Sequence, residues 1–396
     1  MESYIPRFFQ APRQSFFLFG PRGTGKSTLL KRCYPDALWI DLLKPEVFRA
    51  YVARPERLAE LVRGNPEKKV IIVDEVQKVP EILSVVHSLI EEKIKKTFVL
   101  TGSSARKFKR TGVDLLAGRV LLRTLHPFLL SELSAPPSLE KVLHFGLLPI
   151  VVASKNPQDV LNPYVSLYVR EEVQIEGLVR NVGNFSRFLE AASFSHAASL
   201  NLSNISRECG VERKVVESYV QILEDILLAF KLPVFAKRAQ RAVVAHPKFY
   251  FFDAGVFRSL RPQGPLDRPE EIGGAALEGL VAQHLRAWIA YQKHRYELFF
   301  WRSRGGLEVD FVLYGKYGFY ALEVKNTNRI RPEDLHGLTE FRKDYPKSQC
   351  IFLYRGKEKL LINNVRCIPV EMFLRALSPA TEFAGLLGTK RMARSA

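Results

Sequence analysis

The sequence predicts an α/β protein that folds as several domains. Short apolar segments alternate with helical stretches from residue 15 to about residue 125, and strands rich in aromatic and β-branched residues follow residue 249. Between these regions the pattern is mainly helical. Alternating strands and helices are typical of a parallel sheet covered on both faces. A chain of 396 residues also exceeds the usual size of one hydrophobic core, so we expect at least two domains.

The first domain is predicted at residues 1–126 and contains five strands. The first, third and fourth of these strands are too apolar for a surface position, which indicates burial on both faces of the sheet. The strands are predicted at Ser15–Phe19, Ala37–Leu42, Val70–Val73, Thr97–Thr101 and Val120–Leu125. This region is therefore interpreted as an α/β core with a parallel sheet.

Two smaller regions are predicted after this domain. Residues 127–195 are mostly helical in pattern and are interpreted as a helical lid or linker. Residues 196–248 contain a helix, a turn at Gly210 and a longer helix, which is the pattern of a winged helix-turn-helix. The second helix either enters a DNA major groove or serves only to pack domains together. Its exposed polar residues are expected to be Arg213, Lys214, Glu217 and Gln221.

The C-terminal domain is predicted at residues 249–378 as a second α/β fold. One helix is expected from Gly274 to Tyr291. The strands that follow are predicted at 297–303, 308–314, 318–325 and 350–355. The tail at residues 379–396 is small, basic and without periodicity, so we expect it to be disordered.

The composition predicts a soluble, cytoplasmic protein that binds a polyanion. Lys and Arg number 59 against 41 Asp and Glu, and the net charge of +18 favours nucleic acid as a partner. The four cysteines show no CxxC pairing, which argues against a zinc site or a disulfide framework and fits a reducing compartment. No apolar run approaches the roughly 18 residues that span a bilayer, so we expect no membrane association.

A phosphate-binding motif lies between the first strand and the helix that follows it. The pattern GxxxxGK[ST] is met by Gly20, Gly25, Lys26 and Ser27. Glycines allow a tight loop of backbone N–H groups around phosphates, the lysine reaches the β and γ oxygens, and the serine ligates Mg²⁺. The helix N-terminus also favours an anion. The predicted ATP-binding residues are Gly20, Pro21, Arg22, Gly23, Thr24, Gly25, Lys26, Ser27 and Thr28.

Two consecutive carboxylates follow the third strand. Asp74 is expected to hold Mg²⁺ through water together with Ser27. Glu75 is expected to orient and deprotonate the attacking water. The alternative is that Glu75 only begins a surface helix. With the phosphate loop, this pair predicts ATP hydrolysis.

Two further positions have two interpretations each. A hydroxyl of Thr101 or Ser103, at the end of the fourth strand, either senses the γ-phosphate or caps the next helix. Arg119 precedes the fifth strand, where it either reaches the γ-phosphate of a neighbouring subunit or forms a surface salt bridge. The first interpretation of Arg119 requires an oligomer.

These features resemble the AAA-plus branch of P-loop ATPases over about residues 1–195. The resemblance rests on the strand order, the Asp74-Glu75 pair, the polar end of the fourth strand and Arg119. It implies ATP and Mg²⁺ as cofactors and a homo-oligomer, with a ring hexamer favoured. It also implies a second sensor arginine in the helical region. The unranked candidates are Arg170, Arg180 and Arg187.

A second group of charged residues lies on a predicted hairpin of the C-terminal domain. Strand side chains alternate, so Glu323 and Lys325 lie on one face, beside Asp310 on the partner strand. The carboxylates there would hold Mg²⁺ or Mn²⁺, and the lysine would position a metal-bound water. Glu278, at the edge of the buried face of the preceding helix, needs such a partner. The alternative is a structural ion pair of Lys325 with Asp310 or Glu323.

This second group resembles the PD-(D/E)XK nuclease superfamily, whose domains have a restriction-endonuclease-like α/β fold. The resemblance assigns Glu278, Asp310, Glu323 and Lys325 to the catalytic positions of that superfamily, and it implies Mg²⁺-dependent cleavage of DNA. The chain from about residue 1 to residue 375 resembles a family of bacterial and archaeal AAA-type ATPases with a winged helix and a C-terminal nuclease-like domain.

Two functions remain open from the sequence. One is an ATP-dependent DNA-processing enzyme that couples hydrolysis to cleavage of double-stranded or branched DNA. The other is an ATP-controlled regulatory or DNA-binding switch whose nuclease-like domain is catalytically inactive. A small-molecule kinase is disfavoured because it explains neither the helix-turn-helix pattern nor the second acidic group.

Overall fold

A computed structural model describes residues 4–104, 116, 118–168, 181–236, 246–265 and 267–386. The chain divides into two compact units. The first unit is formed by Phe9–His126 and Asp225–Leu228, and the second by Met1–Phe8, Pro127–Glu224 and Ala229–Ala396. No sequence pattern indicates that the short stretch Asp225–Leu228 belongs to the first unit. Within this stretch, the side chain of Leu227 packs against the hydrophobic core of the first unit.

The first unit is built around a five-stranded parallel sheet. The strands are β1 (Phe16–Phe19), β2 (Leu38–Asp41), β3 (Val70–Asp74), β4 (Thr97–Gly102) and β5 (Leu121–Thr124). Their order in the sheet is β2-β3-β4-β1-β5. The helices are α1 (Lys26–Cys33), α2 (Pro45–Ala53), α3 (Arg57–Gly64) and α4 (Ile82–Glu91). The parallel α/β core expected from the sequence is confirmed, and each strand lies within one residue of its predicted bounds.

The central strands of this sheet are the most apolar ones. Phe17 in β1, Val73 in β3 and Leu100 in β4 are all buried in one hydrophobic core. Their burial explains why the chain places β4 between β1 and β3 rather than at an edge. The carboxyl ends of these three strands lie side by side, which is the usual position of ligand sites in open α/β sheets.

The second unit begins with short helices. They are α5 (Leu139–Phe145), α6 (Pro149–Val152), α7 (Pro157–Pro163) and α8 (Val182–Ser193). Two of them have proline at or next to the first helical position, where its missing N–H costs no hydrogen bond. Arg187 lies exposed on α8. The other two sensor candidates, Arg170 and Arg180, lie outside the described residues.

Two helices and a small antiparallel sheet follow. The helices are α9 (Leu202–Cys209) and α10 (Arg213–Asp225). The strands are β6 (Ala198–Ser199), β7 (Ala229–Leu232) and β8 (Lys248–Phe251), in the order β6-β8-β7. The Asn201 side chain accepts the backbone N–H of Asn204 and caps α9. The helices occupy the region where the sequence predicts a helix-turn-helix.

The remainder of the second unit surrounds a six-stranded mixed sheet. Its strands are β9 (Tyr296–Arg302), β10 (Glu308–Gly315), β11 (Gly318–Val324), β12 (Gln349–Tyr354), β13 (Leu360–Ile362) and β14 (Val365–Pro369). Their order is β13-β14-β12-β11-β10-β9. The helices are α11 (Ala254–Leu260), α12 (Pro269–Tyr291), α13 (His336–Asp344), α14 (Val370–Ala376) and α15 (Phe383–Leu386). Strands β13 and β14 are not predicted from the sequence, because both are short and are joined by a two-residue turn at Asn363-Asn364.

Helix α12 begins five residues before its predicted start at Gly274. Pro269 is at the first helical position, which favours the start of a helix, and the pair Gly273-Gly274 does not prevent its propagation. At 23 residues α12 is the longest helix that the described ranges contain. None of the helices in those ranges is long and apolar enough to cross a membrane.

The expected disorder of the tail from residue 379 onward is wrong for its first residues. Phe383 in α15 is fully buried, and its ring lies 4.6 Å from the ring of Tyr320 and 5.3 Å from that of Trp288. The Gln292 side chain also donates a hydrogen bond of 2.8 Å to the carbonyl oxygen of Pro379. One buried aromatic ring and this hydrogen bond hold the segment, and neither produces a periodic pattern in the sequence. Residues 387–396 lie outside the described residues.

Candidate functional site

The phosphate loop Gly20–Ser27 joins the carboxyl end of β1 to the start of α1. Gly25 has φ +85°, a left-handed conformation that side chains rarely adopt. A Cβ atom on Gly20 would lie 2.5 Å from the carbonyl oxygen of Leu125, so this position has no room for a side chain. The Thr24 hydroxyl donates a hydrogen bond of 2.8 Å to the carbonyl oxygen of Pro21 and closes the turn. The two glycines are therefore needed for the shape of the loop.

Lys26 is held inside this loop. Its side chain is buried, and Nζ donates a hydrogen bond of 2.7 Å to the carbonyl oxygen of Gly20. The ammonium group thus lies over the loop, where a phosphate would meet it. Arg22 and Thr28, two further predicted ATP-binding residues, are exposed at the edge of the same loop.

Asp74 lies next to Ser27 at the carboxyl edge of the sheet. The Ser27 hydroxyl donates a hydrogen bond of 2.8 Å to Oδ2 of Asp74, and the Thr101 hydroxyl donates one to Oδ1. Burial raises the pKa of Asp74, while both hydrogen bonds oppose that rise. Ser27 and Asp74 are the oxygen donors expected to hold Mg²⁺, which usually keeps several waters and phosphate ligands. Their contact fits such an ion.

Glu75 is held by polar side chains from β4 and from the turn after β3. Its backbone is left-handed, with φ 60° and ψ 47°, a conformation that costs free energy in a residue with a side chain. Its N–H donates a hydrogen bond of 3.0 Å to the Thr101 hydroxyl. Oε2 accepts hydrogen bonds from the Gln77 amide and, at 3.3 Å, from the Ser103 hydroxyl. The geometry therefore brings Ser103 to Glu75, as a shared site requires.

Gln77 is a site residue that the sequence analysis did not identify. Its amide nitrogen donates to both Glu75 and the Ser103 hydroxyl, the second bond measuring 3.0 Å. The side chain is buried, and its carbonyl oxygen has no hydrogen-bond partner within the part of the chain that the structure describes. A polar residue among the apolar residues after Asp74-Glu75 was the available signal.

Arg119 forms an ion pair with Glu91 at the surface of the first unit. Its side chain is 42% exposed, so the guanidinium is reachable from outside the chain. The ion pair corresponds to one of the two interpretations from the sequence. Action of Arg119 on a neighbouring subunit stays a prediction from the sequence.

A cluster of charged side chains, several of them buried, lies in the second unit at the position predicted for a metal site. We call it the carboxylate cluster, and its members come from β8, α12, β10, β11 and the residue that follows β11. They are Lys248, Tyr250, Glu278, Glu308, Asp310, Glu323 and Lys325. The four residues predicted from the sequence, Glu278, Asp310, Glu323 and Lys325, are all among them.

Lys248 is at the centre of the carboxylate cluster. Its Nζ lies 3.0 Å from Oε1 of Glu278 and 3.0 Å from Oδ1 of Asp310. The lysine side chain is only 4% exposed. The Tyr250 hydroxyl donates a further hydrogen bond of 2.6 Å to Glu278. Sequence reasoning missed both residues, although a lone lysine in the aromatic strand Lys248-Phe249-Tyr250-Phe251 was a usable signal.

The other side of the cluster is organised by the hairpin β10–β11. Lys325 Nζ lies 2.7 Å from Oε1 of Glu323, and its side chain is 44% exposed. The Val324 N–H donates a hydrogen bond of 2.9 Å to Oδ2 of Asp310. The N–H of Asp310 donates one of 3.3 Å to Oε2 of Glu323. Asp310 and Glu323 are thus fixed by backbone groups as well as by lysines.

Burial and mutual repulsion change the acidity of this cluster. Burial, followed by the charge of Asp310, raises the pKa of Glu278 to about 7 and that of Glu323 to about 8. Burial alone would lower the pKa of Lys248, but the charges of Glu278 and Asp310 raise it well above its ordinary value. Lys248 is therefore a permanent cation at neutral pH.

The carboxylate cluster does not fit a divalent metal ion in this arrangement. The Lys248 ammonium lies between Glu278 and Asp310, where the predicted ion would have to bind. Across the described ranges, no group of three or more His, Cys, Asp or Glu side chains is arranged to hold a metal ion. Mg²⁺ ligated by Glu278, Asp310 and Glu323, as the sequence analysis expects, therefore requires a different position of Lys248.

Three family models match successive parts of the chain. A model described as "AAA domain" matches residues 12–134, which contain the phosphate loop, Asp74, Glu75 and Arg119. The chain carries an AAA-type P-loop ATPase domain. The other two models are described as "Domain of unknown function (DUF8612)", at residues 136–267, and "Domain of unknown function (DUF4143)", at residues 273–373.

Solved structures of a replication initiator give weak matches to the chain. AMPPCP-bound DnaA from Aquifex aeolicus is 14% identical, with a TM-score of 0.25, and the match covers 53% of this chain and 81% of that chain. DnaA bound to AMPPCP and single-stranded DNA is 14% identical, with a TM-score of 0.23, covering 53% and 82%. TM-scores this low carry no argument about fold or function. No curated protein gives a sequence match.

Ser27, Gln77, Thr101 and Ser103, which form hydrogen bonds with Asp74 or Glu75, lie in the AAA-type region. The carboxylate cluster is divided between the two other matched regions. Glu278, Asp310, Glu323 and Lys325 lie in the region at 273–373. Lys248 lies in the region at 136–267.

Proposed function

We propose that this protein is an ATPase that binds DNA and acts as a nucleotide-controlled switch. The observation that carries the proposal is the arrangement of Ser27, Asp74 and Glu75 beside the phosphate loop. Ser27 and Asp74 are in direct contact, and Glu75 is oriented by three hydrogen bonds. Phosphoryl transfer depends mainly on positioning and on stabilising charge, and these residues provide both.

Each residue then has a defined role in hydrolysis. The loop N–H groups and Lys26 bind the β- and γ-phosphates. Mg²⁺ held by Ser27 and Asp74 would neutralise negative charge on the phosphates. Glu75 orients the attacking water and accepts its proton. Ser103 links the γ-phosphate to Glu75, because its hydroxyl already contacts that carboxylate.

Arg119 is proposed to act between subunits. An arginine from a neighbour stabilises transition-state charge on the γ-phosphate in related ATPases, which requires an oligomer and favours a ring hexamer here. Exposure of the Arg119 side chain supports this role. Mixing an Arg119→Ala protein with a Glu75→Gln protein should restore part of the ATPase activity, since mixed oligomers contain some intact interfaces. Two inactive proteins that stay inactive when mixed would contradict it.

DNA is proposed as the partner because of charge. The net charge of +18 favours counterion release from a polyanion. Arg213, Lys214 and Gln221 are exposed on α10, opposite its buried positions Val216 and Tyr219. Binding of a labelled DNA duplex should weaken steeply as salt increases, and the double change Arg213→Ala and Lys214→Ala should reduce that salt dependence. Salt-independent binding would contradict the proposal.

ATP hydrolysis is tested by three variants measured for phosphate release and for binding of a fluorescent ATP analogue. Lys26→Ala should lose both, whereas Glu75→Gln should bind ATP and lose hydrolysis by about a hundredfold or more. Lys31→Ala is the matched control, since Lys31 lies on the same helix with its side chain exposed toward Trp39. Full hydrolysis by Glu75→Gln would refute the role of Glu75.

A second candidate function is Mg²⁺-dependent cleavage of double-stranded or branched DNA by the second unit, which would require Lys248 to leave its position between Glu278 and Asp310. It is favoured by the convergence of Glu278, Asp310, Glu323 and Lys325 in one cluster. The test is a panel of labelled duplex, single-stranded and branched DNA incubated with ATP and with Mg²⁺ or Mn²⁺. Cleavage that is lost in Asp310→Asn, with ATP hydrolysis retained, would establish this function over the simple switch.

A further inference from the structure

We propose that Lys248 is the resident cation of the carboxylate cluster, so that the cluster takes up a divalent metal ion only when this lysine is removed. The inference concerns the second unit and is independent of ATP hydrolysis. It gives a physical reason why a site with the residues of a nuclease would be inactive.

The first argument is the coordination of the ammonium group. A lysine ammonium has three N–H donors. The carboxylates of Glu278 and Asp310 each lie 3.0 Å from Nζ, and that of Glu308 lies 3.5 Å away. Two carboxylates accept hydrogen bonds from the ammonium and a third lies within ion-pair distance, so the lysine has the kind of oxygen environment that a metal ion would have.

The second argument is exclusion. Mg²⁺ binds carboxylate oxygens at about 2.1 Å, so an ion shared by Glu278 and Asp310 would lie almost where Nζ of Lys248 lies. Two cations cannot share that position, because their contact is sterically and electrostatically unfavourable. Metal binding at this site therefore requires displacement of the lysine.

The third argument is that Lys248 is anchored. It begins β8 and is paired in register with Ser199 on β6 and with Leu232 on β7. The next three residues of the strand, Phe249–Phe251, are buried. The ammonium also lies 5.8 Å from the ring centre of Phe300, a further favourable contact for a cation. Moving it out of the cluster would disturb a buried strand.

The fourth argument is the origin of the lysine. Glu278 and Asp310 belong to the matched region at 273–373, and Lys248 belongs to the preceding region at 136–267. The cation is therefore supplied by a different segment from the carboxylates that it neutralises. The buried ion pairs then hold the two segments together, a role in which a bound metal ion would be redundant.

The test is Mn²⁺ binding in the absence of nucleotide, measured by the loss of the electron paramagnetic resonance signal of free Mn²⁺. Lys248→Met replaces the ammonium by an apolar chain of similar length. It should bind one Mn²⁺ per chain that wild type does not bind, because Glu278 and Asp310 then lose the cation between them. The added site should disappear in the double variant Lys248→Met with Asp310→Asn.

Lys231→Met is the matched control. Lys231 lies on β7 of the same small sheet, where it pairs with Glu224 rather than with the carboxylate cluster, and it is 35% exposed. This variant should bind Mn²⁺ as wild type does. If Lys248→Met does not fold, Lys248→Gln provides a second variant, since glutamine lacks the positive charge and keeps hydrogen-bond donors.

Wild-type protein alone already tests the proposal. The proposal would be overturned if wild type binds Mn²⁺ at a site that Asp310→Asn removes. It would also be overturned if the Lys248→Met or Lys248→Gln variant folds and does not bind the added Mn²⁺. Thermal unfolding gives a second readout, since Mn²⁺ should raise the melting temperature of the Lys248 variants and leave that of wild type unchanged. ATP hydrolysis measured on the same samples shows separately whether the first unit works.

Discussion

Glu278 should take up a proton as the pH falls below about 7, and Glu278→Gln tests this directly. Asp310 and Glu323 are buried, and the Glu278 side chain is 15% exposed. Two ammonium groups of the cluster, Lys248 and Lys325, face these three carboxylates, whereas Glu308 also pairs with Arg302. Full ionisation would leave an excess negative charge in a buried place, which is costly. A raised pKa for Glu278 is the expected result.

The direction of the pH effect follows from the two protonation states. The pKa of Glu278 is raised from 4.5 to about 7 in the folded protein, so the folded state binds more protons than the unfolded state between these values. The stability contributed by the proton is present below pH 4.5 and is lost as the pH rises through 7. Between pH 5 and pH 8 this one group should lower the unfolding free energy by about 2 to 3 kcal/mol.

The assay is urea unfolding of wild type and Glu278→Gln at a series of pH values. Trp288 and Trp301 lie in the second unit and Trp39 in the first, so a Trp39→Phe background makes tryptophan fluorescence report on the unit that contains the cluster. Glutamine keeps the acceptor for the Tyr250 hydroxyl and cannot ionise. The stability of Glu278→Gln relative to wild type should therefore increase from pH 5 to pH 8.

An exposed carboxylate provides the control for this measurement. Glu371 is 44% exposed and pairs with Arg375 on the surface of α14, so Glu371→Gln should follow wild type across the whole pH range. If the unfolding free energies of wild type and Glu278→Gln change in parallel with pH, proton uptake by Glu278 would be refuted. That result would also mean that Lys248 and Lys325 compensate all three carboxylates.

Three further changes give sharp expectations. Gly20→Ala should abolish binding of a fluorescent ATP analogue and destabilise the first unit by about 1 to 3 kcal/mol, because its Cβ would lie 2.5 Å from a backbone oxygen of Leu125. Normal binding of the analogue would contradict this close packing. Gln77→Ala should lower kcat for ATP hydrolysis by about tenfold or more, because it removes a donor that orients Glu75, and should leave the dissociation constant for ATP unchanged. An unchanged kcat would exclude that role of Gln77. Asp253→Ala should cost about 2 to 4 kcal/mol in urea unfolding, as its carboxylate accepts three backbone N–H groups; a loss below that range would mean that water replaces it.

The first unit was largely predictable because its signals are local. The phosphate loop is one contiguous motif, and Asp74-Glu75 directly follows a buried apolar strand. The parallel strands are short apolar runs bounded by helices, so their limits are readable to within one residue. Gln77 was missed because its role depends on a contact with Ser103, 26 residues away, that only the pairing of β3 with β4 creates.

The cluster was only partly predictable because its central contacts are distant in sequence. Asp310, Glu323 and Lys325 were found from strand alternation, and Glu278 from its place on a helix face. Lys248 is 62 residues from Asp310. The two residues lie on strands of different sheets, β8 and β10, and no periodicity in the sequence links such strands. Phe383 was missed for the same reason, since one aromatic residue in a polar tail has no pattern until its partners are known.

The division of the chain into units has a consequence for synthesis on the ribosome. The ATPase unit comprises Phe9–His126 and the later stretch Asp225–Leu228, whose Leu227 contacts its core. Although most of this unit is made first, it cannot be completed until about a hundred further residues have been translated. The segment Met1–Phe8 is made before the ATPase unit, yet its Arg7 pairs with Glu132 in the second unit. Folding of the nascent chain therefore cannot proceed strictly from one end to the other, and the ATPase unit remains incomplete through the middle of translation.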